Sequence, residues 1–78
     1  MIVELEPGTT APRHTHPGEE IFYVHEGTWE YTLESKPPLI VKTGEVLFIP
    51  ARTIQSARIV GTTELTALRV YSSNDEGL

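Results

Sequence analysis

The chain has 78 residues, 6 of them basic and 11 acidic, for a net charge of -5. That is one domain at most, with a core that covers only about 60% of the surface an unfolded chain exposes, so a second subunit is expected to help bury it. The negative balance repels phosphate backbones and anionic membranes and excludes nucleic acid as a partner class. The absence of cysteine excludes disulfides and thiolate metal sites.

In chain order, short alternating segments are divided by turn residues, and none has helical periodicity for more than a turn or two. "IVELEPG" predicts a first strand stopped by Pro7 and Gly8, and "PRHTH" a second stopped by Pro17 and Gly18. "EIFYVHEG" predicts a third. Successive side chains on a strand point to opposite faces, so Glu20, Phe22 and Val24 share one face of it, and Ile21, Tyr23 and His25 the other. "TWEYTLES" alternates most cleanly, with Trp29, Tyr31 and Leu33 inward and Thr28, Glu30, Thr32 and Glu34 outward. "LIVK", "VLFI", "TIQSARIV" and "ELTALRVY" complete about eight strands, the pattern of a small all-β sandwich or barrel. Phe22, Trp29, Tyr31, Val46 and Phe48 are expected in the core, and "SSNDEGL" as a frayed tail after a single domain over residues 1–72. With no charged-then-apolar leader and no long apolar run, the chain is expected in the cytoplasm and not at a membrane.

The chemistry concentrates in "HTHPGEE". On a strand, residues two apart share a face, so His14 and His16 present two imidazoles together while Thr15 points away. The Pro17-Gly18 turn returns the chain, and parity then sets Glu20, rather than Glu19, across from them. Two imidazoles and a carboxylate on one side of a divalent ion are the facial arrangement of non-heme iron. His25 falls on the opposite parity and is expected to point away. With Ile21 and Tyr23 it makes a partly apolar outer stripe, which suggests cover by a second copy in a homodimer. Ser56 has no histidine base placed for it, and the glycines have no phosphate-loop spacing.

These residues closely resemble the cupin superfamily. Its first motif, G, five residues, H-x-H, three or four residues, E, six residues, G, is matched at every fixed position by Gly8, His14, His16, Glu20 and Gly27. The second, G, five residues, P-x-G, two residues, H, three residues, N, keeps Gly44 and Pro50 but has Arg52, Gln55 and Ile59 where glycine, histidine and asparagine are usual. "HTHPGEEIFYV" and "EVLFIPA" look like the small single-domain, quercetin-dioxygenase-like cupins. The resemblance implies an antiparallel β-barrel or jelly roll (double-stranded β-helix) with a metal inside, held by His14, His16, Glu20 and position 55. Iron or manganese is favoured, and zinc, nickel or copper is also compatible.

Gln55 is the main departure. Its amide oxygen is a poorer donor than imidazole, so it is expected either to be a weak fourth ligand or to hydrogen-bond a metal-bound water or substrate carbonyl. Arg52 is expected to strain its turn if that turn needs a positive φ, by on the order of 1 kcal/mol. The resulting expectation is a metal-binding cupin that binds or transforms a small molecule, with dioxygenase-like or metal-assisted lyase or isomerase chemistry. The alternative is a non-catalytic ligand-binding or sensing cupin with a structural or absent metal.

Overall fold

A computed structural model describes residues 1–72; the expected frayed tail, 73–78, lies outside the described residues. The described chain holds eight strands: β1 (Ile2–Leu5), β2 (Thr10–His14), β3 (Glu20–Glu26), β4 (Thr28–Leu33), β5 (Leu39–Lys42), β6 (Val46–Ile49), β7 (Gln55–Val60) and β8 (Leu65–Tyr71). All pairings are antiparallel, in two four-stranded sheets ordered β1-β8-β3-β6 and β2-β7-β4-β5. This is the all-β, two-sheet architecture that the spacing of turns implied, in the jelly-roll form that the cupin resemblance implied.

Between the sheets, side chains from alternate positions form one core. Phe22 and Val24 of β3, Trp29, Tyr31 and Leu33 of β4, Ile59 of β7, and Leu65 and Ala67 of β8 are all buried. At its centre the Phe22 and Trp29 rings stand 4.7 Å apart and the Trp29 and Tyr31 rings 4.9 Å apart, in the tilted and edge-on geometries that aromatic quadrupoles favour.

The alternation of β3 and β4 is as read from the sequence, but that of β6 is inverted. Leu47 and Ile49 are buried, whereas Val46 and Phe48 are 62% and 49% exposed. The reason is register. Phe48 pairs with Ile21 and Val46 with Tyr23, both outward on β3, and paired residues of neighbouring strands share a face.

Two corners brace the connection between β2 and β3. Gly18 packs so tightly under the end of β8 that a Cβ there would stand 1.7 Å from the Ser72 carbonyl oxygen. Its N–H donates to the Tyr71 hydroxyl at 3.0 Å, and Ser72 N–H donates to the Glu19 carbonyl at 2.8 Å. Arg52, in the turn before β7, does adopt a positive φ, 62°. Its side chain is exposed, while its backbone N–H donates to the His16 carbonyl at 2.8 Å. The strained turn therefore anchors the segment that carries His16.

Candidate functional site

The sheets deliver the four expected site residues to one end of the barrel. Glu20 opens β3, where it pairs with Ile49 of β6 and Tyr71 of β8. His14 closes β2 directly opposite Gln55, the first residue of β7. His16 is not on the strand as expected: β2 ends at His14, after a register shift between Ala11 and His14, and His16 lies in the connection to β3. Proline at 17 cannot donate to a ladder, which helps end pairing here. The two imidazoles still come together, ring centres 4.9 Å apart and nearly perpendicular, so the shared placement stands although the strand parity behind it does not.

Glu20 and Gln55 are each 2% exposed and are the buried polar residues of the interior. Gln55 Nε2 donates to Glu20 Oε1 at 3.1 Å. The other carboxylate oxygen, Oε2, accepts from Arg69 Nε at 2.7 Å and also pairs with the Arg69 terminal nitrogen Nη2 at 2.5 Å. His16 Nε2 stands 4.0 Å from that same oxygen. Arg69 also lies over the Tyr71 ring, 4.7 Å from its centre, and that ring meets His16 edge-on, with centres 5.7 Å apart. At this end of the barrel His14, His16, Glu20, Gln55, Arg69 and Tyr71 therefore make a connected polar cluster, buried at Glu20 and Gln55 and half-buried at the other four.

Arg69 is not among the residues expected from the sequence. A signal for it exists: Leu65 and Ala67 are core residues on β8, and parity carries the same face to Arg69 and Tyr71. His25 does point outward and is exposed.

Tyr31, on the inner face of β4, senses the cluster. Burial pushes its phenol well above the ordinary value, the Glu20 charge pushes it further, and the Arg69 cation partly offsets both.

The donors fit a divalent metal in kind. His14 Nδ1 donates to the Pro12 carbonyl at 2.6 Å, which leaves Nε2 as the bare nitrogen, the backbone-fixed tautomer common among metal-ligating histidines. Gln55 Oε1 is buried without a hydrogen-bond partner, an acceptor for which a cation or a donor is missing. Neighbouring ligands bonded at about 2.1 Å in a facial or tetrahedral site stand about 3.0 to 3.4 Å apart, so the His16–Glu20 pair, at 4.0 Å, must close by up to about 1 Å to share an ion. Among the described residues, however, no three histidine or acidic side chains already stand together as a finished metal site. Glu20 is instead closed by Gln55 and Arg69.

A jelly roll with two adjacent histidines and a buried carboxylate at one end is a barrel of the cupin type. The chain belongs to that family: the Cupin domain model matches residues 1–71. In sequence it is similar to dimethylsulfoniopropionate lyase DddQ of Ruegeria pomeroyi, 34% identical over 50 residues, which are 64% of this chain and 25% of the relative. In structure it resembles the same lyase (27% identity, TM-score 0.84, 99% of this chain and 39% of that one). It also resembles a cupin-like protein from Thermotoga maritima (30% identity, TM-score 0.84, 92% and 54%). A third likeness is to a predicted oxalate decarboxylase of Thermotoga maritima (28% identity, TM-score 0.79, 90% and 61%). The chain thus spans about a quarter of the curated relative it matches and about half of these structures. Among the described residues, no helix is long and apolar enough to cross a membrane.

Proposed function

We propose that this chain is the barrel of a metal-binding cupin that transforms a small carboxylate by a lyase-type step, with His14, His16 and Glu20 as ligands and Gln55 as a weak fourth. The observation that carries this reading is the buried pair of Glu20 and Gln55 facing the two histidines, with Gln55 Oε1 left without a partner. Two relatives favour a carboxylate and bond cleavage over oxidation, since one is named as a lyase of a propionate and the other as a predicted decarboxylase of oxalate.

The chain's own residues supply the surroundings of that step. A bound divalent ion would provide a Lewis acid for a substrate oxygen. His14 is oriented by Pro12, Tyr71 is held by Gly18, and the aromatic cluster below them keeps water out of the core. Oxidative cleavage of the quercetin-dioxygenase-like kind, with iron or manganese, is the alternative chemistry for the same ligands. A purely ligand-binding cupin is the alternative outside catalysis.

Elemental analysis and calorimetric titration with manganese(II), on the parent and on Gln55→His, test the ligand set. The parent is expected to bind one ion weakly and the variant roughly 10 to 100-fold more tightly, the range of effects seen when the surroundings of a metal are altered. A parent and variant that both stay empty would overturn the metal reading. Product analysis on a panel of small carboxylates, with and without oxygen, then separates lyase from dioxygenase chemistry.

The homodimer expected from sequence has its support on the outer face of the β1-β8-β3-β6 sheet. Ile2, Leu68, Tyr23 and Val46 form one cross-strand row and Val70, Ile21 and Phe48 the next, all exposed. Two adjacent rows of exposed large apolar side chains on one sheet face are the kind of contiguous patch that marks a protein–protein contact. Sedimentation of the parent should show a dimer and of Phe48→Glu a monomer; a monomeric parent would refute it.

A further inference from the structure

Resting on the proposed metal site, the geometry points to Arg69 as a latch on Glu20: its guanidinium and a divalent cation compete for the same carboxylate oxygen, so that loading the metal releases Arg69 into the barrel. Three observations converge. First, Glu20 Oε2 accepts from two Arg69 nitrogens, which occupies the directions along which a carboxylate oxygen binds partners. Second, this is the oxygen that His16 Nε2 faces at 4.0 Å, so an ion shared by the two must take Arg69's place there. Third, Glu20 Oε1 is already engaged by Gln55, so neither carboxylate oxygen is without a protein partner and Oε1 keeps only part of its accepting capacity.

A guanidinium stays protonated throughout the working pH range and cannot itself ligate a metal. It can leave Glu20 without leaving the barrel, because it already rests over the Tyr71 ring, a contact that favours a cation whether or not the carboxylate is present. The latch also keeps the buried Glu20 charge neutralised before an ion arrives.

Manganese(II) affinity is measured by calorimetry for the full chain, Arg69→Met, Arg69→Gln and the control Arg58→Met. Arg69→Gln retains a donor toward Glu20 and serves if the methionine variant folds poorly. Both Arg69 variants are expected to bind about tenfold more tightly or better, and the control like the parent. In parallel, the Arg69 Nε–H resonance of the parent, protected from solvent exchange at the start, is expected to lose protection on saturation with zinc(II), a diamagnetic probe. Unchanged or weaker binding in both Arg69 variants, or a resonance that stays protected in the zinc-saturated parent, overturns the latch and leaves the metal reading intact. If neither the parent nor any variant binds manganese or zinc, the metal reading falls and the latch with it.

Discussion

The fold contains two arginine–glutamate pairs made of the same groups in opposite surroundings. Arg58 and Glu30 face each other across β7 and β4 on the outer surface, bonded at 3.0 Å through Nε, with side chains 59% and 26% exposed. Arg69 and Glu20 lie diagonally across β8 and β3 on the inner surface, with side chains 20% and 3% exposed. Their distances differ little, so geometry does not distinguish them. Water does: an exposed pair exchanges one good solvation for another and gains little, whereas a buried carboxylate depends on its partners for the stabilisation that water no longer gives.

Removing one partner from each pair should expose that difference. Glu20→Ala in metal-free protein leaves Arg69 without its anion and Gln55 Nε2 without its acceptor, and is expected to cost about 3 kcal/mol by urea denaturation. Replacing both members by apolar residues, Glu20→Leu with Arg69→Met, should recover most of that loss, because neither charge is then left alone. A double variant no better than the single one would show that the pair, not its imbalance, holds this end of the barrel. Glu30→Ala should cost under about 1 kcal/mol, an effect that salt at about 1 M erases. If Glu30→Ala proved as costly as Glu20→Ala, burial would not be what separates the two pairs.

The two pairs also differ in how legible they are in the sequence. Turn residues mark all eight strands, and alternation on β3 places Glu20 inward and His25 outward correctly. Parity fails where the pattern carries no alternation. "VLFI" is apolar at every position, so nothing in it says whether Val46 and Phe48 or Leu47 and Ile49 face the core; pairing with β3 decides that. Glu30 is legible as outward because it alternates with Trp29 and Tyr31. Arg69 is hidden because charge suggests solvent, and its inward position depends on Glu20, 49 residues earlier in the chain. Burying such a charge makes sense only once β8 lies beside β3.

Tyr31 offers the finest probe of the buried pair, with the smallest effect. Its phenol lies above the ordinary value through burial first and the Glu20 charge second, and Arg69 opposes them. A raised folded value means that the unfolded chain releases the Tyr31 proton first, near pH 10. The stabilisation is therefore intact below about pH 10 and declines as the pH climbs above it. Tyr31→Phe should leave the slope of stability against pH unchanged below about pH 10 and flatten it above, measured as the difference between urea midpoints of parent and variant. Arg69→Met removes the opposing cation and should extend the alkaline decline to higher pH, while Glu20→Gln should end it at lower pH; the exposed pair predicts no change in either Arg58→Met or Glu30→Gln. If the outer substitutions moved the alkaline limb as much as the inner ones, Tyr31 would be sensing net charge and not the buried pair beside it.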